Sequence, residues 1–155
     1  MNSALQFNVS PYAPFMQETK VTLGNGIELH VEMGGNPEHP TILLIMGLGA
    51  QMLFWPDFFC KSLIDQGFRV IRFDNRDIGL SSKIREKRKR LNTMKLMSRF
   101  IIGLGNEGAP YTLYDMADDV SMLIDQLGLE KTYLIGASMG GMISQIVAAK
   151  YPEKV

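Results

Sequence analysis

Residues 133–142 read YLIGASMGGM, with one serine held between glycines where an apolar run gives way to a helical pattern. The spacing Gly136-Ala137-Ser138-Met139-Gly140 has a mechanical cause. A strand that turns at once into a helix forces its central residue into a strained conformation. The residues two before and two after it are then crowded together, so glycine suits both. The serine oxygen sits at a helix N-terminus, where free N–H groups and the helix dipole favour negative charge. A hydroxyl in that place is a candidate nucleophile, with the N–H of Met139 aimed at a tetrahedral oxyanion. The plainer alternative is a glycine-rich turn with an ordinary N-cap serine.

Outward from that turn, TYLIG (132–136) reads as a strand and 139–150 as a helix that Pro152 ends. The segment before it carries Leu113, Met116, Val120, Leu123, Ile124 and Leu127 at helical spacing, opened by a capping box of Thr112 and Asp115 and closed by Gly128. TILLIM (41–46) is a continuous apolar run between Pro40 and Gly47, the pattern of a strand covered on both faces. A helix is expected from about Met52 to Gln66, stopped by Gly67, and FRVIRF (68–73) is the next strand. KVTL and IELHVEM flank GNG and read as a hairpin in which Asn-Gly supplies the positive φ angles. Strands alternating with helices predict an α/β architecture: an antiparallel hairpin, then parallel strands with helices on both faces. Residues 1–19 read as an N-terminal extension and 20–155 as the domain portion.

Sixteen basic and sixteen acidic residues cancel, so no net field argues for nucleic acid. The longest apolar run, TILLIMGLGAQMLFW, is too short and too interrupted to span a bilayer. The N-terminus has no basic region followed by an apolar core, so a cytoplasmic protein is expected. The single cysteine, Cys60, fits a reducing compartment and lies in an amphipathic segment as a buried thiol. KIREKRKR carries six positive side chains and is followed by an apolar stretch; it reads as a solvated loop and helix rather than a membrane contact.

An oxyanion site needs a second donor. Gly47 and Gly49 in LLIMGLGAQ let the backbone approach closely and make the N–H of Leu48 the candidate. Here the chain resembles a family. LLIMGLGAQMLFWPDFF, VIRFDNRDIGLSS and APYTLYDMADDVSMLIDQLGLEKTYLIGASMGGMISQ are similar to the first half of α/β-hydrolase esterases, especially the aclacinomycin methylesterase-like group. That group has a Met-Gly turn where many relatives have His-Gly, and the usual pattern of the turn DNRDIGLS has glycine where this chain has Asp77. The resemblance implies an α/β-hydrolase fold, Ser138 as nucleophile, and the N–H groups of Leu48 and Met139 as the oxyanion hole. It implies a small-molecule ester substrate, and no metal or organic cofactor. Asp74 and Arg76 are expected to tie down the turn after their strand.

In that family the serine is followed by an acid and then a histidine. After Ser138 the chain holds Glu153 and no histidine, and its two histidines are His30 and His39. His39 enters at the end of strand 41–46 away from the serine, roughly 15–20 Å off at the rise of an extended chain. His30 lies on the hairpin, and both are expected at the surface. The base is therefore expected outside this chain, which reads as the N-terminal part of a longer hydrolase with an incomplete C-terminal half. Self-association through an exposed edge at strand 132–136 and near-inactivity of the chain alone follow from that reading.

Two other readings compete. GLGAQM follows a strand, and Asp74 ends the next one, as in dinucleotide-binding oxidoreductases, but Met52 replaces the third glycine and the serine turn is left unexplained. A binding module on a hydrolase scaffold that has lost catalysis is the other.

Overall fold

The computed structural model describes residues 5–84 and 110–155. The strands are β1 (Asn8–Val9), β2 (Gln17–Thr22), β3 (Glu28–Gly34), β4 (Thr41–Ile45), β5 (Arg69–Phe73) and β6 (Thr132–Gly136). The α-helices are α1 (Asp57–Asp65), α2 (Leu113–Gln126) and α3 (Met139–Lys150). One sheet runs in the order β1-β2-β3-β5-β4-β6. β1, β2, β3 and β5 pair antiparallel in turn, while β4 lies parallel to both β5 and β6. This is the expected antiparallel hairpin leading into parallel strands.

Alternation along β4 divides the core. Ile42 and Leu44 face Ala13, Met16, Cys60 and Val70, with Trp55, Phe59 and Leu63 of the α1 side packed over them. Leu43 and Ile45 face the other way, into Val31, Ile71 and Phe73 beneath Val120, Leu123 and Ile124 of α2 and Ile143 and Val147 of α3. Every residue of β4 is buried, which is why its sequence is apolar without interruption. Cys60 is fully buried as expected, and burial pushes its thiol pKa up.

The helix ends follow their sequence signals. Thr112 and Asp115 form the reciprocal capping box of α2. After α1, Gly67 at φ +86 lets its own N–H reach Ile64 O and that of Phe68 reach Leu63 O, closing the last turn. Gly128 and Leu129 repeat the arrangement after α2, on Asp125 O and Ile124 O.

Three local expectations need correction. The helix expected from Met52 is broken: Met52–Phe54 is a single 3-10 turn, and α1 starts only after Pro56 at its N-cap. A residue before proline is pushed out of the helical region, and Trp55 sits at φ −71, ψ 113. In the hairpin only Gly26 has positive φ, because the loop is three residues closed by the amide of Leu23 on Ile27 O. His30 is not a surface residue, being 3% exposed. The turn after β5 covers it, with Ser81 Oγ accepting its backbone N–H at 2.9 Å.

β2 begins three residues before position 20, and the segment ahead of it is built into the sheet. β1 pairs with β2, Ala13 and Met16 are buried, and Ser10 Oγ donates to Glu32 on β3. Most of the basic stretch, from residue 85 onward, lies outside the described residues. No helix among the described residues is long and apolar enough to cross a membrane.

Candidate active site

β6 runs into α3 through Ala137 and Ser138. Ala137 N–H donates to Ile45 O at 3.0 Å, which joins the ends of β6 and β4. Ser138 has φ 53 and ψ −118, and Asp77 is the other non-glycine residue with positive φ among the described residues. An ordinary N-cap residue is extended and uses its side chain to accept an amide of the first turn. Ser138 is neither: its hydroxyl makes no cap hydrogen bond and the residue is exposed. The turn is held by its backbone, with Gly140 N–H on Ala137 O at 2.8 Å and Gly141 N–H on Ser138 O at 2.9 Å.

Both glycines of the pentapeptide have a steric cause. Gly136 lies against the backbone of Gly140, and a Cβ on Gly140 would fall 2.0 Å from Ile45 O. The turn can be this tight only with hydrogens at both places.

The loop after β4 closes the other side. A Cβ on Gly47 would stand 3.2 Å from Ser138 Cβ and 3.7 Å from its Oγ. Ala50 N–H reaches Gly47 O at 3.3 Å and Gly49 has φ +73, so Leu48 and Gly49 are the centre of a type II turn. Among the described residues neither the Leu48 nor the Met139 amide has an acceptor. The structure thus brings the predicted residues Gly47, Leu48, Gly49, Gly136, Ser138, Met139 and Gly140 into one place, at the C-terminal ends of β4 and β6.

Neither histidine joins them. His39 is exposed just ahead of Thr41, at the opposite end of β4. His30 Nε2 lies 3.1 Å from Glu18 Oε2, and Nδ1 lies 3.7 Å from Asp74 Oδ2, an ion-pair distance. Asp74 foremost, and Glu18 after it, raise the His30 pKa against the opposing effect of burial. For Asp74 burial opposes ionisation but is outweighed by His30 and by two backbone amides, so its carboxyl is held below the usual value.

Those amides are Met52 N–H at 2.8 Å and Leu80 N–H at 3.1 Å. A carboxylate so occupied and only 3% exposed is closed to a ribose, which removes one of the two features that favoured a dinucleotide site. Arg76 grips Asp119 of α2 with two contacts of 2.6 Å, so it ties the turn after β5 to α2 rather than to itself. Asp77 has φ 68, a conformation that glycine adopts freely and that aspartate tolerates better than most side chains. Asn75, unnoticed in the sequence, is buried and donates to Met46 O at 3.0 Å. A polar Asp-Asn pair at the end of an apolar strand was the signal for it. Among the described residues no three His, Cys, Asp or Glu side chains are grouped as metal ligands.

A family profile described as alpha/beta hydrolase fold matches residues 40–155, three quarters of the chain. The chain belongs to the α/β-hydrolase fold family. It is similar to rhodomycin D methylesterase of Streptomyces peucetius, at 28% identity over 88% of this chain and 39% of that one. It is also similar to an AB hydrolase superfamily protein of Bacillus subtilis, at 32% identity over 83% of this chain and 37% of that one. Among solved structures, a membrane phospholipase A described as a bacterial virulence factor aligns with TM-score 0.70 and 28% identity, over 91% of this chain and 37% of that one. This α/β-hydrolase chain thus spans about two fifths of the length of the relatives it matches.

Proposed function

We propose that the chain carries the nucleophile and oxyanion hole of a serine hydrolase acting on carboxylic esters. Ser138 Oγ adds to the ester carbonyl carbon, and the electron pair of the C=O bond moves to its oxygen. The N–H groups of Leu48 and Met139 donate to that oxyanion. Collapse expels the alcohol and leaves the acyl group on Oγ, and water then hydrolyses the acyl-enzyme. The observation that carries this reading is the left-handed backbone of Ser138 combined with a hydroxyl that caps nothing. Strain of that kind costs about 1–3 kcal/mol and persists where the surroundings impose it. The esterase and lipase names of the relatives support the substrate class.

The proton leaving Oγ needs a base within about 3 Å, or one water away. His30 is enclosed between Glu18 and Asp74, and His39 stands at the far end of β4. Neither histidine is placed to act as that base, so this reading takes the acid and histidine of the triad to come from outside these residues. A second reading, a binding module on this scaffold, draws on the same lack of a reachable histidine.

A fluorophosphonate probe with peptide mapping tests both. Slow modification at Ser138, quickened by added imidazole and lost in Ser138→Ala, is the expected result. Modification at other residues, or at the same rate in Ser138→Ala, would refute the nucleophile. No modification with imidazole present would favour the binding module. Rapid turnover of p-nitrophenyl acetate by the unaided chain would refute the missing base.

A further inference from the structure

The turn after β5 grips the loop after β4 at both of its ends. Asn75 Nδ2 donates to Met46 O at 3.0 Å, and Asp74 Oδ1 accepts from Met52 N–H at 2.8 Å. Between those two anchors lie residues 47–51, with Gly47 packed on Ser138 and Leu48 next to it. Asn75 and Asp74 are each 3% exposed, so water does not compete for either bond. The clamp is itself braced. The second carboxylate oxygen of Asp74 accepts from Leu80 N–H at 3.1 Å, and Ser81 Oγ donates to Asp74 O at 2.6 Å. Gly79 touches that carboxylate so closely that a Cβ there would overlap it.

Left to itself the loop has little to hold it. Its internal bond, Ala50 N–H to Gly47 O, is 3.3 Å long, and two of its five residues are glycine. A flexible loop would scatter the direction of the Leu48 amide, and a donor helps catalysis only if it is aimed before the charge develops.

We infer that Asn75 and Asp74 are positioning residues that aim the Leu48 amide at Ser138 by fixing the two ends of the loop between them. The chemistry of each side chain matches its task. Met46 O needs a donor, which asparagine has and aspartate lacks. The amides of Met52 and Leu80 need two acceptor oxygens, which aspartate has and asparagine lacks. The inference rests on the reading of Ser138 as nucleophile and Leu48 as oxyanion donor.

The probe is 4-fluorophenylboronic acid. Ser138 Oγ–H adds to its trigonal boron: an O–B bond forms, the proton goes to water, and the anionic tetrahedral adduct places one boron oxygen where the oxyanion would be. Fluorine NMR reads the affinity, and amide hydrogen exchange reads the loop. Asn75→Ala is expected to weaken adduct formation at least tenfold. Exchange at Ala50 and Met52, whose amides are hydrogen-bonded to Gly47 O and Asp74 Oδ1, should quicken by a similar factor, while Leu43 and Leu44 in β4 keep wild-type protection. Asn75→Ser, which retains a shorter donor, should fall between, and serves if the alanine variant does not fold. Wild-type affinity and wild-type exchange in either folded variant would overturn the inference. If the wild-type chain and Ser138→Ala bind the boronate equally, the nucleophile reading fails. The exchange rates then still decide the clamp: unchanged exchange at Ala50 and Met52 in Asn75→Ala refutes it.

Discussion

A Cβ placed on Gly136 would stand 2.3 Å from both the carbonyl carbon and the carbonyl oxygen of Gly140. Backbone cannot retreat from such a contact as a flexible side chain can, so the strand end and the first turn of α3 would have to separate. Gly136→Ala is expected to destabilise the fold by about 3 kcal/mol, at the upper end for overpacking. Gly140→Ala should do the same through Ile45 O. Gly141→Ala is the control: its nearest neighbour would be Gly136 O at 3.4 Å, an ordinary contact, and alanine is the better helix former by about 1 kcal/mol. Urea unfolding followed by circular dichroism should rank Gly141→Ala at or above wild type. Equal losses in all three would mean that the turn is looser than this geometry.

His30 makes stability depend on pH in a direction that can be worked out. Its folded-state pKa is raised above 6.5, chiefly by Asp74 and then by Glu18, with burial opposing. The protonated ring therefore stabilises the fold; that contribution is complete below pH 6.5 and is lost as pH rises through the raised value. Asp74 works the other way. Held below 3.8, it contributes above that pH and is lost as pH falls through its lowered value. Stability should peak between the two, and urea midpoints measured from about pH 2 to about pH 9 should show it. His30→Gln should abolish the alkaline decline and make the acid limb shallower. A variant that keeps the full alkaline decline would assign it to another group.

The Arg76–Asp119 pair closes the same turn onto α2. Asp119 also accepts from Asn25 Nδ2 at 2.8 Å, and the Arg76 guanidinium lies 5.1 Å from the centre of the Tyr111 ring. Arg76 and Asp119 are 7% and 3% exposed, so removing one strands the other away from water. Arg76→Ala should cost about 3–5 kcal/mol, the range for breaking a buried pair. Arg76→Lys keeps the charge but not the two-pronged geometry and should recover only part of it. The same surroundings push the Tyr111 hydroxyl pKa up to about 12, burial first and Asp77 next. An ultraviolet titration should show a tyrosine ionising at about pH 12 that is lost in Tyr111→Phe. Thermal unfolding of the two variants that ranked lysine below alanine would contradict the role given to the fork.

Much of this was legible in the sequence, for reasons that separate local from distant causes. β4 announced itself because a strand covered on both faces needs apolar residues without a break, and the serine turn because its contact between Gly136 and Gly140 is made within five residues. His30 was misplaced because what buries it is the turn after β5, more than forty residues on. The loop geometry at Asn25 depends on where β2 and β3 stop pairing, which the dipeptide does not reveal. β1 has two exposed residues and no apolar pattern, so nothing local marks it. Asp74 was expected to tie down its own turn, and does. Its second partner, Met52, belongs to a loop that only the sheet brings alongside.

The outer edge of β6 bears on solubility. Among the described residues its one strand neighbour is β4, and Tyr133, on this strand, is 61% exposed. TYLIG contains no charge and no proline, the devices that keep edge strands from pairing with other chains. The chain's net charge of zero removes the general repulsion that would oppose contact. Sedimentation velocity over a range of concentrations is expected to show self-association that Tyr133→Lys shifts towards monomer. Lysine there should leave the fold intact, because the side chain it replaces is already largely in water. If the lysine variant associates as strongly as wild type, the contact lies on another surface. If wild type stays monomeric at the highest concentrations, the edge is already protected.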